Sequence, residues 1–141
     1  MIHRTGLAVL LLVVALVTGC GTGSAVYDLG TIVHGGVGRT ADVRLTPGAR
    51  FSLAVEENTS AGDRWQMADL PDVMVASFIS EEYRPAAEGA GGVRYFVFNA
   101  KRPGTATVTI SNCRRCTAGR TPADEQSRRA SGEAIFRITV A

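Results

Sequence analysis

The chain has 141 residues, with 15 Lys and Arg against 13 Asp and Glu, and its formal net charge is +2 at pH 7. A nucleic-acid-binding domain usually carries a concentrated basic patch, so a charge this close to balance argues against nucleic acid as a partner. The length is sufficient for one domain with a hydrophobic core and too short for two.

The first twenty residues have the features of a secretory signal. An uninterrupted apolar run, LAVLLLVVALV, covers residues 7–17 behind Arg4. This run is shorter than the roughly 20 apolar residues of a membrane-spanning helix and fits the apolar region of a signal peptide. It ends in LVTGC, residues 16–20, which resembles the lipobox of bacterial lipoproteins: an aliphatic residue, two small residues and cysteine.

The lipobox resemblance implies cleavage before Cys20, diacylglycerol on the Cys20 sulfur and usually a further acyl chain, such as palmitate, on the new amino terminus. Two or more acyl chains give stable membrane anchoring. We therefore divide the chain into a signal peptide (1–19), a lipidated cysteine with its tether (20–28) and a domain (29–141). The mature protein is expected on the extracytoplasmic face of a bacterial cell membrane, anchored by lipid but not spanning the bilayer.

After the tether, the sequence predicts β-strands. Five short runs alternate apolar and polar side chains and are bounded by Gly, Pro or polar residues; they are residues 41–46, 50–56, 94–100, 104–111 and 134–140. Residues 73–80, VMVASFIS, are apolar almost throughout, which predicts a strand buried on both sides. Since no window of ten or more residues has a helical period, we predict an all-β antiparallel sandwich or barrel.

Two segments between the strands have loop character. Residues 57–65, ENTSAGDRW, favour a turn that bonds its own backbone, with Trp65 filling the core as the next strand begins. By itself this stretch favours an ordinary connection between strands with a buried tryptophan. The polar segment 111–132 is longer than most loops, which favours a functional or a disordered connection.

Catalytic and metal chemistry have little support in the sequence. His3 belongs to the signal peptide and His34 stands alone near the start of the domain, with no nucleophile-elbow or zinc-protease motif. GAGG, residues 89–92, precedes a strand, whereas phosphate-binding loops open a helix. We predict no catalytic residue, no metal site and no cofactor.

Cys113 and Cys116 enclose Arg114 and Arg115 in the string CRRC. A structural zinc needs four ligands, and a thioredoxin-type motif opens a helix in a βαβ unit, so neither context is present. If Cys20 is lipidated, the remaining two cysteines are free to form a disulfide outside the cytoplasm. So small a ring contributes about 2 kcal/mol at most, so its expected role is to shape the loop.

Three loops taken together resemble those of the chagasin-type inhibitors of papain-like cysteine proteases. NTSAGDRW (58–65) is similar to the first loop of that family, Asn-Pro-Thr-Thr-Gly-x-x-Trp. GAGG (89–92) is similar to the second, Gly-x-Gly-Gly, and is followed as in the family by a strand ending Phe-x-Phe-x-Ala and a Pro-Gly turn. CRRC (113–116) stands where the third loop has Arg-Pro-aromatic. The similarity extends over about residues 29–141.

The resemblance implies an immunoglobulin-like antiparallel β-sandwich whose three loops enter the protease cleft and block it without covalent chemistry. Trp65 is implied to support the first loop structurally. The implied protease-binding residues come from all three loops: Asn58, Thr59, Ser60, Ala61 and Gly62; Gly89, Ala90, Gly91 and Gly92; Arg114 and Arg115.

The match departs from the family at four positions. Thr59 replaces a proline and Ala61 replaces a threonine in the first loop. In the third loop Arg115 stands for the proline and Cys116 for the aromatic residue, which removes a side chain of the kind that often dominates binding energy. A Cys113–Cys116 bond would restore the rigidity that the proline gives.

We therefore predict a monomeric, lipid-anchored inhibitor of papain-like cysteine proteases that is not an enzyme. The altered first and third loops favour an alternative, a non-inhibitory immunoglobulin-like binding or envelope-structural lipoprotein. A third hypothesis, a redox protein that uses Cys113 and Cys116, requires a reactive, rapidly exchanging disulfide.

Overall fold

A computed structural model describes residues 28–89 and 91–141. The predicted signal peptide, the lipidation site at Cys20 and the loop residue Ala90 lie outside the described residues and stay predictions. The described part contains one α-helix, α1 (Glu125–Ala130), one turn of 3₁₀ helix (Thr59–Ala61) and eight strands: β1 (Thr31–His34), β2 (Thr40–Leu45), β3 (Arg50–Glu57), β4 (Trp65–Met67), β5 (Ala76–Pro85), β6 (Gly92–Ala100), β7 (Gly104–Asn112) and β8 (Gly132–Val140).

The strands form two four-stranded sheets, with the orders β1-β3-β6-β5 and β2-β8-β7-β4. Most neighbours are antiparallel, while β1 runs parallel to β3 and β2 runs parallel to β8. Two such sheets packed through their inner faces make an immunoglobulin-like β-sandwich. The predicted fold class is confirmed.

The core lies between the sheets and is built from alternate residues of the predicted strands. Phe51 and Phe98 are fully buried and stack with ring centroids 5.3 Å apart. Phe136 of β8 and Ile110 of β7 meet them from the other sheet and are also fully buried. Such alternation is what a sheet with one face on the core requires, which explains why the sequence pattern located these strands.

The interpretation of residues 73–80 as a doubly buried strand is wrong. Val73 and Met74 lie in a turn before the strand and are 61% and 45% exposed. Asp72 closes this turn by accepting a hydrogen bond from the Met74 N–H at 2.9 Å. The strand itself, β5, lies at the edge of its sheet. An apolar run can therefore be divided between a turn and an edge strand, which hydrophobicity alone does not distinguish.

The connection between β7 and β8 contains α1. Asp124 caps this helix by accepting a hydrogen bond from the Ser127 N–H at 2.7 Å, and the Ser131 hydroxyl donates to the Ser127 carbonyl at 2.7 Å. Six residues are too few to give a helical period in a ten-residue window, so the sequence pattern did not indicate this helix.

Strand directions place the connections at two opposite ends of the sandwich. One end, the loop pole, carries residues 58–64, 86–89, 91 and 113–122. The other end, the tether pole, carries the first described residues, 28–30, together with 68–75. In residues 28–89 and 91–141 no helix has the length and apolar character needed to cross a membrane.

Candidate functional site

The three loops singled out in the sequence meet at the loop pole. The first loop (58–64) joins β3 to β4, the second (86–91) joins β5 to β6, and the third (113–122) follows β7. Open clefts of about 990 and 890 Å³ flank the first loop, one shared with the second loop and the other with the third. The first loop is therefore a ridge between two depressions.

The first loop is closed by its own hydrogen bonds. The Asn58 side chain caps the 3₁₀ turn by accepting from the Ala61 N–H at 3.1 Å, and the Asn58 carbonyl accepts from the Asp63 N–H at 3.0 Å. Gly62 ends the turn in the left-handed region, with φ +89°. Thr59 and Ser60 are exposed at the tip. This is the self-bonded turn that the sequence predicts.

The second loop packs beside the first. The Gly91 carbonyl accepts a hydrogen bond from the Ala86 N–H at 2.9 Å, which closes this loop, and Gly89 and Gly91 have positive φ angles of +84° and +104°. A Cβ atom at Gly91 would lie 3.7 Å from Cβ of Asn58. Gly92 begins β6 so close to the Arg84 carbonyl that an added Cβ would lie 2.3 Å from its oxygen. Backbone conformation and close packing thus account for the glycines.

The third loop is attached to the first through the backbone. Cys113 and Cys116 form a disulfide with their Cα atoms 5.6 Å apart. The Arg115 N–H donates to the Gly62 carbonyl at 2.9 Å, and the Cys113 N–H donates to the Arg64 carbonyl at 3.1 Å. The two loops consequently hold a fixed relation to one another.

A buried carboxylate, Asp63, joins the first and third loops through side chains as well. Its side chain is 5% exposed and accepts from Arg114 Nε at 2.7 Å and from Arg114 Nη2 at 2.9 Å. Asn112 Nδ2 and the Asn58 N–H donate to it at 2.9 Å each. Burial by itself would raise the pKa of Asp63, but these hydrogen bonds and the Arg114 charge outweigh it and lower the pKa below its ordinary 3.8.

Sequence reasoning did not identify Asp63. It singled out Arg114 as a protease contact, but 51 residues separate the two partners and no local pattern joins them. One signal was available, since an acidic residue inside a predicted binding loop needs a partner if it is buried.

The two arginines of CRRC have different surroundings. Arg114 is occupied by Asp63 and its side chain is 26% exposed. The Arg115 side chain is 63% exposed, and its one ion pair among the described residues is a 3.6 Å contact with the Asp124 carboxylate; the Arg115 backbone has a left-handed φ of +48°. Of the two, Arg115 is the side chain that faces solvent.

A second buried carboxylate supports the base of the first loop. Glu57 is 2% exposed, accepts from Arg94 Nε at 2.6 Å and accepts from the Trp65 N–H at 3.2 Å. The buried Trp65 ring directs its Nε1–H to the Glu56 carbonyl at 2.9 Å. Trp65 thus lies behind the first loop, with its backbone N–H and its ring N–H both bonded to residues of β3.

The three loops form a surface held by hydrogen bonds, a buried ion pair and a disulfide, and it contains no cluster of metal ligands among the described residues. Within the described ranges, no group of three or more His, Cys, Asp or Glu side chains is placed to hold a metal ion. His34 is exposed at the end of β1, beside the cleft shared with the second loop.

Comparisons with known proteins give one matching family and several solved structures of similar fold. The model of the chagasin family of peptidase inhibitors, I42, matches residues 44–129. The chain is similar to a solved structure of the cysteine protease inhibitor EhICP2 from Entamoeba histolytica, with a TM-score of 0.57 and 13% identity over 79% of this chain and 95% of that one. It is also similar to PbICP-C, solved in complex with falcipain-2, with a TM-score of 0.47 and 17% identity over 79% and 100% of the two chains. No curated protein sequence matches.

Proposed function

Because the chain belongs to the chagasin family of peptidase inhibitors and is not an enzyme, we propose that it blocks the active-site cleft of papain-like cysteine proteases with its three loops. The observation that carries this proposal is the ridge formed by the first loop, held against its two neighbours at the loop pole. A ridge of this kind enters a cleft, whereas a flat surface covers its rim.

The loops are organised before any partner binds. Hydrogen bonds within the first loop, the Asp63–Arg114 pair and the Cys113–Cys116 bond hold their backbone. Ordering a flexible side chain on binding costs about 0.5–1.5 kcal/mol, and loops that are already ordered avoid much of that cost. Occupation of the cleft by such loops excludes substrate without any covalent step.

The third loop compensates for its departures from the family by covalent and electrostatic means. Cys116 stands where the family has an aromatic residue, and its disulfide with Cys113 holds the turn in which Arg115, at the proline position, has a positive φ. Arg115 places an exposed charged side chain where the family has proline.

We also propose that lipid on Cys20 anchors the protein to the outer face of a bacterial cell membrane. The support is the LVTGC string behind an apolar run, and the position of residues 28–30 at the tether pole. An anchor attached at that pole leaves the loop pole free to meet a protease.

An inhibition assay tests the proposal. The full chain in detergent is mixed with papain and several cathepsin-like enzymes, each activated by thiol and then separated from excess thiol so that the disulfide stays intact. We expect saturable, reversible inhibition. The Cys113→Ser/Cys116→Ser variant should inhibit about tenfold more weakly, because its third loop must be ordered on binding. If micromolar protein leaves every enzyme fully active, the proposal is wrong.

The alternative, a non-inhibitory binding or envelope-structural lipoprotein, is favoured by one observation. Arg114, which matches the third-loop arginine of the family, is committed to Asp63 inside the domain. This alternative predicts partners that are not proteases and binding that survives scrambling of residues 58–62.

A further inference from the structure

We propose that the cleft between the first and third loops binds an acidic segment of the target protease through Arg64, Arg115 and Arg120. The inference rests on the proposed inhibitory function and adds the chemistry of the partner at one side of the site.

Positive charge is concentrated next to this cleft. Residues 111–131 carry five arginines and two acidic residues, whereas the whole chain has a net charge of only +2. The third loop and α1 are therefore more basic than the rest of the chain taken together.

The acidic residues that border this cleft, Glu57, Asp63 and Glu81, are each paired with an arginine of the domain. Asp63 and Glu57 are buried at 5% and 2% exposure, each against an arginine. Asp124 caps α1 through the Ser127 N–H, and Glu125 pairs with Arg128 and Arg129 on the same helix. These carboxylates neutralise their own partners and leave other guanidinium groups facing solvent.

Three of the remaining arginines line one depression. Arg64, Arg115 and Arg120 are all exposed and all border the cleft of about 890 Å³. Among the described residues, Arg64 and Arg120 take part in no ion pair. Arg115 has only its exposed 3.6 Å contact with Asp124, and exposed pairs of this kind add little and are readily exchanged for a better partner.

The backbone that carries these arginines is held in place. Arg64 lies between two hydrogen bonds to β7 and the third loop: its N–H donates to Asn112 Oδ1 at 2.9 Å and its carbonyl accepts from the Cys113 N–H at 3.1 Å. The Arg120 N–H donates to the Thr117 carbonyl at 2.8 Å, and Arg120 has a left-handed φ of +57°. Because these backbone positions are held by hydrogen bonds, the Cα atoms that carry the arginine side chains stay in place.

A polypeptide carboxylate is the ligand that this cleft fits. The planar guanidinium fork matches carboxylates in two parallel hydrogen bonds. Three exposed arginines in a concave surface are a small footprint for nucleic acid, whose binding depends on many phosphate contacts. The cleft also lies at the pole opposite residues 28–30 and directly beside the first loop. An acidic rim along the protease cleft would meet it as the first loop enters.

The experiment uses a papain-like enzyme that the unchanged protein inhibits. It measures the rate at which this enzyme associates with the unchanged protein and with two full-length variants. Arg115→Glu/Arg120→Glu reverses two charges of the cleft, and Arg44→Glu/Arg102→Glu makes the same change in charge at exposed residues outside the three loops. We expect the first variant to associate at least tenfold more slowly at low salt and the second to remain within about twofold of the unchanged protein. Raising the salt from about 20 to 500 mM should reduce this difference, because screening removes long-range attraction.

The outcomes separate the two proposals. If all three proteins inhibit at the same rate and without salt dependence, the acidic-partner inference is wrong and the inhibitory function stands. If the unchanged protein inhibits none of the enzymes, the function fails and the inference fails with it. Equal melting temperatures of the two variants show that a slower association is not caused by misfolding.

Discussion

At the scale of single residues, Asp63 is the most informative side chain of the site. It accepts four hydrogen bonds, from Arg114, Asn112 and the Asn58 backbone, and so joins the first loop, β7 and the third loop. A buried charge with this many donors is costly to disturb, because every partner loses its acceptor at once.

We predict that Asp63→Asn lowers the free energy of unfolding by about 1–3 kcal/mol, measured by urea denaturation. The amide has one oxygen and cannot accept the two parallel hydrogen bonds of the guanidinium. Arg114 is then left with an uncompensated, partly buried charge. Asp42→Asn is a matched control, because Asp42 binds Arg137 in the same two-bond geometry but both side chains are more than 60% exposed. The control should cost less than about 1 kcal/mol, and equal losses in the two variants would contradict the importance of burial.

The same substitution should change the acid stability. The pKa of Asp63 is lower in the folded protein than its ordinary 3.8, so the unfolded chain binds the proton more tightly. The contribution of Asp63 is therefore complete above that ordinary value and is lost as the pH falls through the lower folded pKa. Between pH 4 and pH 2 the unchanged protein should lose more stability than Asp63→Asn does, whereas at pH 5 the pair remains intact. Parallel losses of stability below pH 4 would show that Asp63 is not the titrating group.

At the scale of elements, the site depends on the close approach of the first and third loops. Gly62 lies directly under Arg115, where an added Cβ would be 2.5 Å from Cγ of Arg115 and 3.1 Å from its backbone nitrogen. The Arg115 side chain must move away and its backbone nitrogen, which donates to the Gly62 carbonyl, must shift slightly, so a side chain here disturbs the contact between the two loops.

We predict that Gly62→Ala weakens protease inhibition at least tenfold, and Gly48→Ala provides the control. Both glycines have nearly equal positive φ angles, +89° and +86°, but Gly48 has nothing within 4 Å of the added Cβ and lies in the turn between β2 and β3. Both variants should lose about 1 kcal/mol of stability from the φ angle, and only Gly62→Ala should also lose inhibition. Full inhibition by Gly62→Ala would mean that the third loop is not required in its present position.

At the scale of the whole molecule, the loop pole and residues 28–30 lie at opposite ends of the sandwich. Strand β1 starts beside the N-terminal end of β3 and runs in the same direction, so the chain enters the domain at the tether pole. The seven residues between Cys20 and Asp28 span at most about 25 Å when extended. With lipid on Cys20, the domain would remain near the membrane with its loops directed outward.

We predict that Cys20→Ala moves the protein from the membrane fraction of bacterial cells into the soluble extracytoplasmic fraction, because it removes the acylated sulfur. Immunoblotting of the separated fractions measures this change. The control is Cys113→Ser/Cys116→Ser, which removes the other two cysteines and should stay in the membrane fraction. Retention of Cys20→Ala in the membrane fraction would contradict the lipid anchor. The solubilised variant should still inhibit proteases, since Cys20 is far in the sequence from the residues of the three loops.

Much of the frame was predictable from the sequence. Alternation located β2, β3, β6, β7 and β8, because each presents one face to the core and a period of two is the direct result. The same logic failed at residues 73–80, where an apolar run covers both a turn and an edge strand. It also missed β1 and α1, which are too short for any period to appear.

The sequence by itself determined five of the strands, the self-bonded first loop, the glycines of the second loop and the resemblance to the family, because these are local properties of residue type and spacing. Only the tertiary structure decided which charged groups are used inside the fold. Asp63 and Arg114 are 51 residues apart, and they meet because β3 and β7 belong to different sheets that end at the same pole. That packing commits Arg114 to the fold and leaves Arg115 exposed, although the two arginines are neighbours in the chain.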